Sequence, residues 1–333
     1  MFLVIVRLTA VSLCAMTASF FATEAWFNYQ KKSHPASVVA STQSTQANAP
    51  ADMTVAPDPP VEEPGEADLL NPNAPIEVHH YRKDEVPFMI ISGGTAGTRR
   101  TPIRAAVEDI VQEAGARAGL NGTFFANASL RGTDNLLIGP SICGNESAPT
   151  FSPFDKHKEL TGRPLVLISL NQTKIVPYSA DTDDDETGLR SELPGMTDAF
   201  LGGVWLVHHG VPVTEDTIGK FGVKDAEDPR RRAFFALTQD GRPCLGATTY
   251  VATSTQLAQA VADAGFREAV LLDSGFSTSL VEDGKILVTG HTAPGIPSRP
   301  VPHAIVLFDT NPDDVRLARA HSVPMPTRRP SGA

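Results

Sequence analysis

Short apolar runs recur through the middle of this chain, and each is stopped by Gly, Asn or Asp. Phe88–Ile91 leads into Ser92-Gly93-Gly94, Leu165–Leu170 into Asn171-Gln172, and Trp205–Val207 into His208-His209-Gly210. Ala233–Leu237 precedes Gln239-Asp240-Gly241, Ala269–Leu272 ends at Asp273, Lys285–Val288 ends at Thr289-Gly290, and Ala304–Phe308 comes last. Runs of this length, rich in β-branched and aromatic residues and bounded by turn formers, predict strands. Helical spacing occurs in two places. Pro102–Ala118 has Ile103, Val107, Ile110, Val111 and Ala114 in register with a helix. Ser254–Ala264 (STQLAQAVADA) opens on Ser254 or Thr255 as N-cap and is followed by Gly265, suited to the C′ position. The pattern predicts an α+β fold, a single mixed domain with more strand than helix, without internal repeats.

The pattern changes at both ends. Residues 1–27 are almost wholly apolar, broken only by Arg7 and Glu24. They read as a signal peptide or a signal anchor, and residues 3–27 suffice to span a bilayer, which takes about 20 residues. Thr23-Glu24-Ala25 offers a small-x-small cleavage site, so a cleaved signal and an uncleaved anchor both stand. Residues 28–75 are rich in Ser, Thr, Gln, Ala and Pro, too polar to offset chain entropy by burial, and read as a disordered tether. Residues 76–310 form the folded domain and 311–333 a loose tail. This organisation predicts an extracytoplasmic protein, periplasmic or secreted, that meets the membrane only through its N-terminal segment.

Charge narrows the function. The 333 residues carry a formal net charge of -10 and no block of lysine or arginine. A non-specific nucleic-acid binder needs a basic footprint to release counterions, so nucleic acid is excluded as a partner. Of three cysteines, Cys14 lies in the apolar leader. Cys143 and Cys244 can form a disulfide in an oxidising compartment, or remain two buried thiols.

Candidate chemistry gathers in loops. In AVLLDSGFSTSLV (residues 269–281) a buried strand delivers Asp273 to a loop containing Ser274, Gly275, Ser277, Thr278 and Ser279. A carboxylate there can act as general acid, general base or metal ligand, and hydroxyls and backbone N–H groups can hold phosphate oxygens. The bland alternative is an Asp capping its own turn. Gly275–Ser279 approaches the G-x-S-x-G elbow of a serine hydrolase but lacks the second glycine. Asp273-Ser274-Gly275 resembles an aspartic-protease triplet but has no second copy to share a proton. Pro229–Arg232 offers guanidinium forks suited to phosphate, or a solvated basic turn. Residues 290–303 carry His291, Arg299 and His303 in a Pro-rich segment. Asn121–Phe125 (NGTFF) reads as a turn entering a strand. The acidic run 181–188 lacks the turn glycine of an EF-hand and reads as a solvated loop.

Taken in order, these pieces resemble the phosphodiester glycosidase family. Asn121–Phe125 is similar to the family's Asn-Gly-Gly-Phe-Phe, and Leu201–Gly210 (LGGVWLVHHG) to its Gly-Gly strand. Arg232 followed by Ala233–Gly241 is similar to its Arg-Thr strand ending in Asp-Gly. Leu272–Ser279 is similar to its Leu-Asp-Gly-Gly-Gly-Ser-Ser-Thr loop, and Arg299–Ala304 to its Arg-Pro-Val. Departures stand at Thr123, Ala233, Ser274, Phe276 and His303, where the family has Gly, Thr, Gly, Gly and Asn. The resemblance implies a hydrolase of a sugar-1-phosphodiester on a glycan or glycolipid. In it Asp273, Asn121 and His303 are catalytic, and Arg232, Arg299, Ser277, Thr278 and Gly275 bind substrate. A divalent cation, calcium or magnesium, is allowed, with its ligands unknown. The alternative reading is a non-catalytic glycan-binding or envelope polysaccharide assembly protein on the same fold.

Overall fold

The computed structural model describes residues 74–309, apart from 84, 127–135, 145, 147–156, 184, 222–224 and 294. The leader, the tail, and all but the last two residues of the tether lie outside the described residues. Among the described residues no helix is long and apolar enough to cross a membrane.

Three antiparallel sheets build the domain. The first runs in spatial order β1 (Glu77–Lys83), β2 (Val86–Ser92), β12 (Pro243–Thr248), β11 (Ala233–Leu237), β13 (Glu268–Leu271), β9 (Trp205–His208) and β10 (Val211–Pro212). The second runs β15 (Lys285–Thr289), β14 (Ser279–Glu282), β4 (Ala118–Asn121), β16 (Val301–Phe308) and β3 (Thr95–Ala105). The third runs β5 (Ser141–Ile142), β8 (Asp198–Leu201), β6 (Pro164–Ile168) and β7 (Thr173–Pro177). The helices among the described residues are short: α1 (Val107–Glu113), α2 (His157–Leu160), α3 (Glu186–Glu192), α4 (Glu215–Lys220) and α5 (Ser254–Asp263). Strand outweighs helix, as the apolar pattern predicts.

Alternation along the strands sets the layers, because successive side chains in a strand point to opposite faces. Phe88, Ile90, Phe234, Ala236, Ala269 and Leu271 pack on Leu257, Ala258 and Val261 of α5. Met89, Ile91, Phe235, Leu237, Val270 and Leu272 face the other way, into a core shared with both other sheets. There they meet Leu120, Leu280, Ile305 and Leu307, and also Val166, Ile168 and Phe200. The outer face of the second sheet, with Val281, Ala304 and Val306, is covered by Val107, Ile110 and Val111 of α1. Strands buried on both faces read as continuous apolar runs, which is why β11 and β16 are legible without alternation. A fully buried Leu or Phe in such a core contributes roughly 1.5–3 kcal/mol.

Several local expectations are corrected. The segment 102–118 is strand first and helix second: β3 continues to Ala105, where Ile103 is 75% exposed, and only Val107, Ile110 and Val111 form the buried helical face. The N-cap of α5 is Thr253, which forms a capping box with Gln256, while Gly265 takes the left-handed φ of +87° expected past the helix end. Residues 121–125 leave a strand rather than enter one, since Asn121 ends β4.

The disulfide is corrected as well. Cys143 follows β5 in the third sheet and Cys244 lies within β12 in the first, and both are free, buried thiols. Burial raises both thiols, Cys244 to about 12. Since the thiolate is the reactive form, alkylation of the native protein at pH 8 should leave Cys143 and Cys244 unmodified. Denaturant without reductant should expose both to the reagent, read by peptide mass spectrometry. Cysteines that still need reductant in denaturant would contradict the free-thiol assignment.

Candidate functional site

The chain leaves the first sheet after β13 and joins the second at β14, and Asp273–Thr278 makes the crossing. Residues Gly275–Ser277 form one 3-10 turn. Gly275 opens it at φ +65°, a conformation costly for a side chain with Cβ. The glycine that geometry requires is therefore present. Phe276, which follows it, needs no such freedom: it is exposed and stacks on His291 at 4.6 Å between ring centroids.

Buried polar groups hold the crossing at both ends. The fully buried Asn121 donates from Nδ2 to the Asp273 carbonyl (2.5 Å) and accepts at Oδ1 from the Ser279 N–H (3.0 Å). The Gly275 N–H (2.8 Å) and the Thr278 hydroxyl (3.1 Å) both donate to the Arg231 carbonyl. Ser274 donates to the Leu272 carbonyl (2.9 Å) and accepts from the Ala233 N–H (3.2 Å), tying the loop to β11.

At the centre stands Asp273, its side chain 13% exposed. Its Oδ1 accepts from the Ser274 N–H (3.1 Å), and its Oδ2 accepts from Arg299 Nη2 (3.1 Å). Arg299 also donates to the Ser277 hydroxyl from Nε (3.1 Å) and Nη2 (2.5 Å). Desolvation pushes the Asp273 carboxyl above the usual carboxylate range, with the Ser277 hydroxyl and the Arg299 guanidinium pulling it back. Asp273, Ser277 and Arg299 are thus brought together. Arg299 Nη1 takes part in none of these bonds, and the side chain is 35% exposed.

Other sequence candidates do different work. Asn121 is a brace between backbone groups, with both halves of its amide already used. Thr278 and Gly275 shape the loop. Arg232 is corrected: it is 1% exposed, and its guanidinium donates to the carbonyls of Ala252 (3.1 Å), Asp225 (3.0 Å), Ala226 (2.7 Å) and Asp228. Burial lowers its pKa to about 10. A guanidinium spent on carbonyls in the interior staples the 225–232 segment and is not presented to a phosphate.

His303 is corrected as a proton carrier. It is 1% exposed, its Nδ1 accepts from the Thr123 N–H (3.1 Å), and burial lowers its pKa to about 3. It is therefore a buried, neutral imidazole near neutral pH. Gly122 makes room for it, since a Cβ there would lie 1.9 Å from His303 Nδ1. The divalent cation raised from the sequence finds no group of three His, Cys, Asp or Glu ligands around Asp273 among the described residues. There the positive charge facing the carboxylate is Arg299.

Two participants were not singled out from the sequence. The Arg299 guanidinium lies 5.1 Å from the Phe125 ring centroid, and that of Arg104 lies 4.6 Å from the same ring. Phe125 thus meets two cations, of which Arg299 is the one bonded to Asp273. The NGTFF motif contains this aromatic, but nothing in it indicates which cations approach.

These features define a strand-rich α+β domain with a carboxylate–guanidinium pair where the chain crosses between sheets. The phosphodiester glycosidase family model matches residues 114–308, more than half of the chain, and the chain belongs to that family. Its fold is similar to that of the zebrafish N-acetylglucosamine-1-phosphodiester alpha-N-acetylglucosaminidase catalytic domain, auto-inhibited by its pro-peptide. The TM-score is 0.53 at 14% identity, covering 71% of this chain and 82% of that one. A Burkholderia pseudomallei protein described as exported is also similar, with a TM-score of 0.50 at 12% identity over 67% of this chain and 74% of that one. No curated protein matches the sequence.

The buried His303 generates a stability prediction. The unfolded chain protonates it near its ordinary 6.5 and the folded chain only near 3, so unfolding takes up a proton between these values. Its contribution is complete above the unfolded value and is lost as pH falls, by about 1.4 kcal/mol per pH unit. Urea unfolding of His303→Asn across this window should lack that part of the slope. An unchanged slope would contradict a neutral buried imidazole.

Proposed function

We propose that this protein hydrolyses the glycosidic bond of a sugar-1-phosphodiester on an extracytoplasmic glycan or glycolipid. The observation that carries the reading is the Asp273–Arg299 pair: a mostly buried carboxylate of raised pKa against a partly exposed guanidinium with donors to spare. Arg299 and Arg104 would receive the phosphate oxygens, because guanidinium forks match them and carry fixed charge. Phe276 stacked on His291 would offer an aromatic face to the sugar, close to Arg299, whose backbone N–H bonds the Phe276 carbonyl (2.7 Å).

Asp273 would act as general base. Water attacks the anomeric carbon and gives its proton to the carboxylate. The bond from that carbon to the phosphate oxygen breaks, and its electron pair leaves on the phosphate monoester. The leaving phosphate gains negative charge as it departs, and the arginines would stabilise that charge. Family membership supports the reaction class. The raised pKa supports a base that works nearer neutral pH than an ordinary carboxylate.

The compartment belongs to the same proposal: the apolar leader would export or anchor the chain, and one structurally similar protein is described as exported.

The test is release of phosphate monoester from a panel of sugar-1-phosphodiesters by the full chain. Asp273→Asn should lower kcat/KM by about 10²–10⁴-fold. Arg299→Gln should both slow turnover and move the acid limb of the pH profile upward. The base works ionised, and loss of the neighbouring cation raises its pKa further. No turnover by the folded wild type on any substrate, with glycan binding equal in wild type and Asp273→Asn, would replace this reading by a non-catalytic glycan-binding one.

A further inference from the structure

A second constellation lies at the other end of β13. The hairpin β9–β10 pairs His208 with Val211, leaving His209 and Gly210 as a two-residue turn. Both residues have left-handed φ, +52° and +77°, as a type I′ turn requires, and Asn-Gly is the favoured pair for such a turn. A residue other than glycine at positive φ is uncommon and worth a look, although His, like Asn and Asp, is enriched there.

The geometry has a specific result. Successive side chains in a strand point to opposite faces, but the left-handed residue swings His209 to the side of His208. Their rings lie 3.9 Å apart, and both Nδ1 atoms face the carboxylate of Glu268, the first residue of β13. His208 Nδ1 is 2.9 Å from Oε2 and His209 Nδ1 is 3.2 Å from Oε1. Trp205 packs on His208 with 4.2 Å between centroids. The Glu268 side chain is only 7% exposed, yet among the described residues no Lys or Arg forms an ion pair with it. The polar contacts of this carboxylate come from the two imidazoles and from the His209 backbone N–H, which donates to Oε1 (3.1 Å). The imidazoles are 39% and 77% exposed, so an ion has a way in.

We propose that His208, His209 and Glu268 form a binding site for a divalent transition-metal ion of the Zn2+ class, separate from the Asp273 site. One ligand atom from each residue lies within 4.8 Å of the others. Tetrahedral zinc with bonds of about 2.0–2.1 Å needs neighbouring ligand atoms roughly 3.3 Å apart, against 2.9 and 3.2 Å for the two N···O pairs here. Two imidazoles and one carboxylate form a donor set for zinc with the fourth position left to water. Calcium and magnesium prefer all-oxygen sites and are disfavoured. The ion would clamp the β9–β10 hairpin to β13. This site stands whether or not the glycosidase reading holds.

The test uses the full, tag-free chain after chelation and dialysis, with Zn2+ titrated by calorimetry and Co2+ by absorption. Saturable binding of one Zn2+, unaffected by excess Mg2+ or Ca2+, is expected, as are the d–d bands of four-coordinate Co2+. His209→Asn is the discriminating variant, because asparagine suits the turn and should leave folding intact. If the pair of histidines only decorates the turn, this change alters nothing. If they hold metal, Zn2+ affinity falls at least tenfold and the Co2+ bands are lost. No saturable Zn2+ binding, or equal binding and unchanged bands in His209→Asn, would overturn the proposal.

Discussion

Everything at the Asp273 site depends on one buried amide. The loop that carries the carboxylate crosses from one sheet to another, so it belongs to the hydrogen-bond ladder of neither. Asn121 closes that gap: its amide donates to the Asp273 carbonyl and accepts from the Ser279 N–H. Those two groups mark where the chain leaves the first sheet and where it enters the second. An unpaired buried backbone group costs about 1–3 kcal/mol, so one side chain removes two such costs while fixing the position of the carboxylate between them. Fully buried and bonded to both backbone groups, Asn121 serves in this structure as a brace for the loop.

The frame lets electrostatics be set by position. Asp273 loses water and rises in pKa, and the Ser277 hydroxyl and Arg299 pull it part of the way back. Arg299 is itself oriented by Phe125 and by the Ser277 hydroxyl. Arg232 illustrates the other fate of a guanidinium: buried and surrounded by carbonyls, it holds a turn together at the edge of the site. The two arginines differ in environment and not in chemistry.

That difference explains how much could be read in advance. The strands were legible because residues buried on both faces must be apolar, and Gly, Asn or Asp must stop them. Asp273, Ser277 and Arg299 were legible because their loop combines a strand end with dense hydroxyls and an ordered set of family motifs. Arg232 was not, since a sequence does not reveal whether a guanidinium meets solvent or carbonyls. His303 was misjudged for a similar reason: its titration depends on the burial of its ring, which is decided by Gly122 and Phe200 in other strands and loops. The helix expected over 102–118 failed at its start because β3 needed those residues to pair with β16. The His208-His209 pair was visible only as a turn, because Glu268 joins it from a strand about sixty residues on.

The central claim is that the bond cleaved is the one from sugar to phosphate oxygen, with phosphate as leaving group. Hydrolysis in 18O-labelled water decides this. The product phosphate monoester is examined by 31P NMR, where bound 18O shifts the resonance. Cleavage at the anomeric carbon predicts a phosphate free of label, because the water oxygen enters the sugar. Label in the phosphate would mean attack at phosphorus, and would contradict Asp273 and Arg299 as the base and anion-stabilising groups of a glycosidase.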